Sequence, residues 1–230
     1  MVIGILISLD ANAQDASSVG IKQTISILGD SYSTFQGYIP ESYPTYYYSA
    51  PADLTRSDVI DVKQTWWWKV IKEGGYKLGV NDSYSGATIS YMGYKDEDYT
   101  SRSFITRLPN LGNPDIILIF GATNDSWIGG RVGEYRYNDF KRSDFFTYRP
   151  ALAKLLQSAQ ERYPNVQLYF IINTELRDEI TESTKVICNH YGVEYIELHD
   201  IEKTKGHPTV KGMNAITEQV LKVLRKNAKN

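Results

Sequence analysis

The sequence has few of the residues that build metal sites, disulfides or nucleic-acid surfaces. A single cysteine, Cys188, excludes an internal disulfide, and its apolar-periodic place in "TKVICNHYG" reads as a buried structural thiol. The three histidines make no zinc spacing with it. Neither sign of charge prevails: 25 Lys and Arg against 27 Asp and Glu leave a formal charge of −2. A basic footprint for nucleic acid is therefore missing, and no nucleic-acid partner is expected. The apolar run Val2 to Leu9 is too short to span a bilayer and no other run comes near membrane length, so no span is expected. There is no phosphate-cradling glycine loop and no dinucleotide fingerprint, and no cofactor is expected.

What is present is an ordinary globular composition, with 42% apolar and 23% charged residues over 230 positions, a length that favours one domain. Tyrosine is in excess, with 18 residues beside 4 Trp and 7 Phe. Such side chains offer a flat apolar face with a polar handle, which suits interfaces and sugar binding as well as core edges. The start, "MVIGILISLDANAQ", has the outline of a secretory signal, an apolar run before Ala11-Asn12-Ala13, but lacks a basic residue ahead of Lys22. Residues 1–20 are thus expected to be a signal or N-terminal extension, and 21–230 the single domain. Export to the periplasm or exterior follows if the segment is a signal, and a cytoplasmic place if it is not.

Strand-like and helix-like stretches then alternate. "TISILGDS" reads as the first strand, 57–75 as a helix stopped by Gly74-Gly75, and 76–83 as a short strand. Residues 101–112 read as a short helix interrupted by Pro109, and "PDIILIFGATND" (114–125) as the clearest strand. The run Ile116 to Ile119 lacks alternation, as expected where both faces are covered. Helices follow at 145–164, with Pro150 in the first turn, at 177–192 and at 208–227, and strands at 166–175 and 193–200. Five strands separated by helices predict an α/β fold, a parallel sheet with helices on both faces. Ligands of such sheets sit beyond the carboxyl ends of the strands. Four stretches land there: Gly29-Asp30-Ser31, "NDSYSGAT" (81–88), "GATND" (121–125) and "HDIEKTKGHP" (199–208). They contain a serine, a histidine, an asparagine and glycines, the parts needed for acyl transfer.

"GDS" after the first strand, "GATND" after the third and "GHP" before the last helix, in that order, resemble the SGNH (GDSL-type) hydrolases, serine esterases and acylhydrolases, over roughly residues 24–225. The resemblance implies a three-layer α/β/α sandwich around a flavodoxin-like five-stranded parallel sheet. It implies Ser31 as nucleophile, His207 as general base, and an oxyanion hole from the N–H of Ser31, the N–H of Gly86 and the amide of Asn124. The sequence departs from the family twice. Ala122 stands where the block around Asn124 usually has glycine, and Thr204 stands where an aspartate usually precedes the histidine by three. The orienting acid is therefore open between Glu202, Asp200 and none, the last leaving a Ser–His dyad steadied by a backbone carbonyl. Asp125 is expected to stabilise its turn, and His190 and His199 to be structural or exposed.

Substrate choice should lie in loops set on the sheet. "GYIPESYPTYYYSAPADL" (37–54) is broken by prolines and rich in tyrosine. "TWWWKV" opens the next helix, with successive Trp side chains about 100° apart. The stretch 125–144 is expected to bring Trp127, Arg131, Tyr135, Arg136 and Tyr137 to the same rim. Aromatic faces with a few charges point to an ester of a carbohydrate, small or polymeric, as substrate. The alternatives are a lipase- or thioesterase-type acylhydrolase, and a carbohydrate-binding relative without turnover.

Overall fold

A computed structural model describes residues 22–50 and 53–227; the expected signal at 1–20 lies outside the described residues. Five parallel strands form one sheet: β1 (Thr24–Gly29), β2 (Lys77–Ser83), β3 (Ile116–Gly121), β4 (Gln167–Ile172) and β5 (Glu194–Glu197), in the order β2-β1-β3-β4-β5. The helices are α1 (Trp66–Glu73), α2 (Phe104–Arg107), α3 (Thr123–Trp127), α4 (Tyr148–Arg162), α5 (Asp178–Tyr191) and α6 (Val210–Asn227).

The unbroken apolar run of β3 serves two cores at once. Ile116, Leu118 and Phe120 join Trp66, Trp67, Val70 and Ile71 of α1 and Met213, Ile216 and Val220 of α6. Ile117 and Ile119 point the other way, into Phe104 of α2, Leu152, Leu155 and Leu156 of α4, and Ile180, Ile187 and Cys188 of α5. Side chains alternate along a strand, so a sheet covered on both faces must be apolar at every position. The result is the three-layer α/β/α sandwich. Cys188 is buried in the second core, and burial pushes its thiol up to about 12.

The strand order reverses at β1, whose neighbours β2 and β3 are both parallel to it. At such a switch point the connections leave in opposite directions and open a crevice beyond the strand ends. Ser31 follows β1 and Asn124 follows β3, so the fold places both at that crevice.

Three differences from expectation have local backbone causes. The helix expected over 57–75 is regular only from Trp66. Ahead of it Gln64 Oε1 accepts from the N–H of Ile60 and Asp61, and Asp61 caps a single turn at Val62–Gln64. Thr65 then caps the helix proper through Trp68 N–H. The strand expected over 114–125 stops at Gly121, because Ala122 takes φ 73, a left-handed value that no strand continues through. The next residues wind into α3. The rim segment 199–208, read as a loop, contains a small hairpin: β6 (Lys203–Thr204) and β7 (His207–Pro208) pair antiparallel. Lys205 and Gly206 between them both have positive φ, 49 and 78, the mirror-image turn whose twist suits a two-residue hairpin.

Candidate active site

Ser31 opens a single 3-10 turn (Ser31–Ser33) directly beyond β1, with Asp30 as its cap: Asp30 Oδ1 accepts from Tyr32 N–H at 3.0 Å. That turn ends the buried strand on a hydroxyl at the mouth of the crevice. His207 arrives from the far end of the chain on β7, and its Nε2 lies 2.9 Å from Ser31 Oγ. Its Nδ1 lies 3.2 Å from the carbonyl oxygen of Lys205. A carbonyl can only accept, so Nδ1 carries the proton and Nε2 is left to accept from the serine hydroxyl.

Asn124 is set by α3 and buried. Its Nδ2 donates to Ala87 O at 2.9 Å, and its Oδ1 accepts from Tyr94 O–H at 2.9 Å. The amide is thereby fixed, with one N–H left beyond the Ala87 bond. Its neighbour Asp125 turns inward and accepts from Ile89 N–H (2.8 Å), Ser90 N–H (3.0 Å) and Ser90 O–H (2.7 Å). These bonds bind the 87–90 segment to α3 and so hold Gly86 beside Asn124. Gly86 has φ +84, where a side chain is strained, and open space where a Cβ would stand. Among the described residues no protein acceptor engages the N–H of Ser31 or of Gly86. The structure thus brings together Ser31 with His207, and Gly86 with Asn124, at one rim.

Matching follows the same outline. The family model for GDSL-like lipase/acylhydrolase matches residues 23–224. The chain belongs to this family. A GDSL-like lipase structure from Bacteroides ovatus is 53% identical, covers 90% of this chain and 99% of its own, and superposes with a TM-score of 0.87. One from Bacteroides uniformis is 47% identical over 89% of this chain and 96% of its own, also at 0.87. An acetyl xylan esterase from the rumen bacterium Butyrivibrio proteoclasticus is 15% identical, covers 92% of this chain and 66% of its own at a TM-score of 0.59, and shares the fold. No curated protein matches.

Within this GDSL-like hydrolase no carboxylate among the described residues bonds the His207 imidazole. Thr204 pairs with His207 across the hairpin. Asp200 points to solvent with its carboxylate 2.9 Å from His199 Nδ1. Glu202 accepts from Thr209 O–H at 2.7 Å and Lys211 Nζ at 3.1 Å. Burial pushes the His207 imidazole down to about 4; the Lys205 carbonyl pulls the other way, while the Arg56 and Lys203 cations add to the depression. Asp30 is the converse. Its Oδ2 is buried with no partner at hydrogen-bond distance among the described residues, and burial raises its carboxyl to about 7 against the pull of Tyr32 N–H, Arg107 and the Thr123 side chain.

Beneath the rim, buried Arg107 donates to Asp82 Oδ1 at 2.8 Å, to Asp82 O at 2.5 Å and to Gly29 O at 3.0 Å, tying the ends of β1 and β2 together. Ala122 shows why the family prefers glycine: the turn from β3 into α3 needs the left-handed region, which alanine enters at a cost of roughly 1–2 kcal/mol.

The aromatic loops divide. Trp127 stays at the site, 44% exposed, its ring 5.7 Å from that of His207. Tyr135 and Tyr137, expected at the same rim, leave it. Tyr137 stacks on His190 in the last turn of α5, and Tyr135 lies under Arg149. It is the first turn of α5, not the last, that follows β4 at the rim. Trp66 and Trp67 are buried, and Trp68 is half-buried beneath Lys72. No sequence pattern pointed to Tyr94, and only the proline-broken, tyrosine-rich character of 37–54 pointed to the segment from which Tyr46 reaches His207.

Proposed function

We propose that the protein hydrolyses carboxylic esters of carbohydrates through a Ser31–His207 dyad. One observation carries the reading: Ser31 Oγ and His207 Nε2 stand at hydrogen-bond distance, with the proton-bearing Nδ1 turned to a backbone carbonyl. The hydroxyl gives its proton to Nε2 as Oγ attacks the ester carbonyl, and the imidazolium returns it to the leaving alcohol. The resulting acyl-serine is released by water activated in the same way. Negative charge on the former carbonyl oxygen is met by the N–H of Ser31, the N–H of Gly86 and the Asn124 amide, each such donor being worth about 3–4 kcal/mol of barrier.

The substrate reading rests on the rim. Exposed Trp127 and Tyr94 flank His207 and Asn124 and offer flat faces to a sugar ring. The segment after the nucleophile turn lines a cleft of about 560 Å³ through Gln36, Ile39, Glu41, Tyr43, Thr45 and Tyr48, a mix of aromatic and polar groups suited to a saccharide rather than a long acyl chain. Ser85, the neighbour of Gly86, ties this segment to the rim: its N–H donates to Pro44 O at 3.1 Å. Wild type should release p-nitrophenol from p-nitrophenyl acetate, and Ser31→Ala should lower kcat by at least about 10⁴-fold. Deacetylation of acetylated xylan should exceed hydrolysis of a long-chain lysolipid. The reverse order would replace the sugar reading by a lipase, and no turnover on any short-chain ester would favour a binding domain.

A further inference from the structure

The imidazole of His207 is pressed flat against a second ring. The Tyr46 and His207 ring centroids are 3.5 Å apart with planes 7° from parallel. Tyr46 is itself buried, and the Arg56 guanidinium carbon lies 4.1 Å from the same Tyr46 centroid. Both partners cannot occupy one face at those distances, so arginine, tyrosine and histidine form a three-layer stack. Two further rings approach the imidazole at a tilt, Tyr32 at 5.3 Å and 51° and Trp127 at 5.7 Å and 68°.

The stack is built into the nucleophile turn. Tyr46 N–H donates to Thr34 Oγ1 at 2.9 Å, and Thr34 O–H donates to Ser31 O at 3.0 Å. Tyrosine hydroxyls hold the backbone on either side of the histidine, Tyr32 on Gly206 O and Tyr47 on Pro208 O. Against a swing of the imidazole about its Cβ–Cγ bond, the described residues set only two hydrogen bonds, at Nδ1 and Nε2. The Lys205 carbonyl, uncharged and at 3.2 Å, holds it more weakly than a carboxylate would. A parallel ring at van der Waals distance removes the swing. Its π face also favours the imidazolium that forms when serine gives up its proton.

We propose that Tyr46 is a positioning residue that holds the His207 imidazole for proton transfer, in the place left by the absent acid. The proposal rests on the dyad reading of the site. The groups facing the imidazole are Ser31, the Lys205 carbonyl, Tyr32, Tyr46, Tyr47 and Trp127, with the cations of Arg56 and Lys203 behind them.

The test compares wild type, Tyr46→Phe, which keeps the ring, and Tyr46→Leu, which removes it, with Tyr46→Met as the ringless variant if the leucine protein does not fold. On p-nitrophenyl acetate the ringless variant should lose about 10–100-fold in kcat with KM within threefold, while Tyr46→Phe loses less than threefold. The acid limb of its kcat/KM profile should move up toward the ordinary histidine range as water reaches the exposed face. With isotope-labelled histidine, the ring protons of His207 should resonate upfield in wild type and Tyr46→Phe, and lose that shift in the ringless variant. A folded ringless variant with wild-type kcat, a phenylalanine variant as impaired as the ringless one, or an unshifted His207 in wild type would each overturn the proposal. Absence of turnover in wild type would count against the dyad reading, and the resonance comparison would still decide the stack.

Discussion

The two halves of the rim are held by different physics. On the side of Asn124, buried polar atoms are matched one to one: Asp125 takes donors from Ile89 and Ser90, and Asn124 is fixed between Ala87 and Tyr94. On the side of His207, the frame is a two-residue hairpin wedged among Tyr32, Tyr46, Tyr47 and Trp127. On the proposed mechanism the first side supplies donors to a developing oxyanion, which must point at one place, as directional bonds enforce. On the same proposal the second side holds a base that must keep its plane while its charge changes, a demand that stacked rings would meet without a fixed counter-charge.

The comparison can be broken from either side. Asn124→Ala should cost the most, about 10²–10³ in kcat, if its amide is the oxyanion donor proposed; an effect below tenfold would take the amide out of the oxyanion hole. Asp125→Ala should act on stability, at about 1–3 kcal/mol for each buried N–H it orphans, read as a lower denaturation midpoint with unchanged slope. An unchanged midpoint would mean that the polar half does not depend on this carboxylate.

Lowering the pH should separate the halves more gently. The folded His207 value of about 4 lies below the ordinary 6.5, so the neutral base survives well into acid. The acid limb of kcat/KM should therefore fall through about pH 4, whereas a limb near 6.5 would mean a more hydrated imidazole or a hidden carboxylate. The sign for stability is the same. The unfolded chain binds the proton more readily, so the histidine contribution is complete above 6.5 and is lost as pH falls toward 4. The smallest effect is expected from Asp200→Asn and Glu202→Gln together, within twofold in kcat/KM; a tenfold loss would restore one of them as the orienting acid.

Much of this arrangement could be read in the chain before the fold was described. The β3 run Ile116 to Ile119 required two covered faces, and strand–helix alternation then carried "GDS", "GATND" and "GHP" to one rim. Asp125 was legible as a turn stabiliser because it follows Asn124 in a short polar stretch after a buried strand. The side of His207 was legible only in part: the histidine was expected from "GHP", and a backbone carbonyl was one of the open choices for its partner, but not which carbonyl. Lys205 enters the left-handed region without being the glycine or asparagine that would have marked that position of the hairpin turn. Tyr46 is one of three successive tyrosines, and only tertiary packing decides that it, not Tyr48, covers the imidazole. Tyr135 and Tyr137 were misplaced for the related reason that composition says which loops are aromatic but not which helix they settle on.

The central claim is that Ser31 is a nucleophile armed by His207 alone. Its most direct test is to treat the protein with a fluorophosphonate and locate the adduct by mass spectrometry of the intact chain and its peptides. One phosphonyl group per chain on the peptide carrying Ser31, formed far more slowly in His207→Gln and at an undiminished rate in the Asp200→Asn, Glu202→Gln double variant, is the predicted result. An unlabelled Ser31, or labelling that persists at full rate without His207, would contradict it.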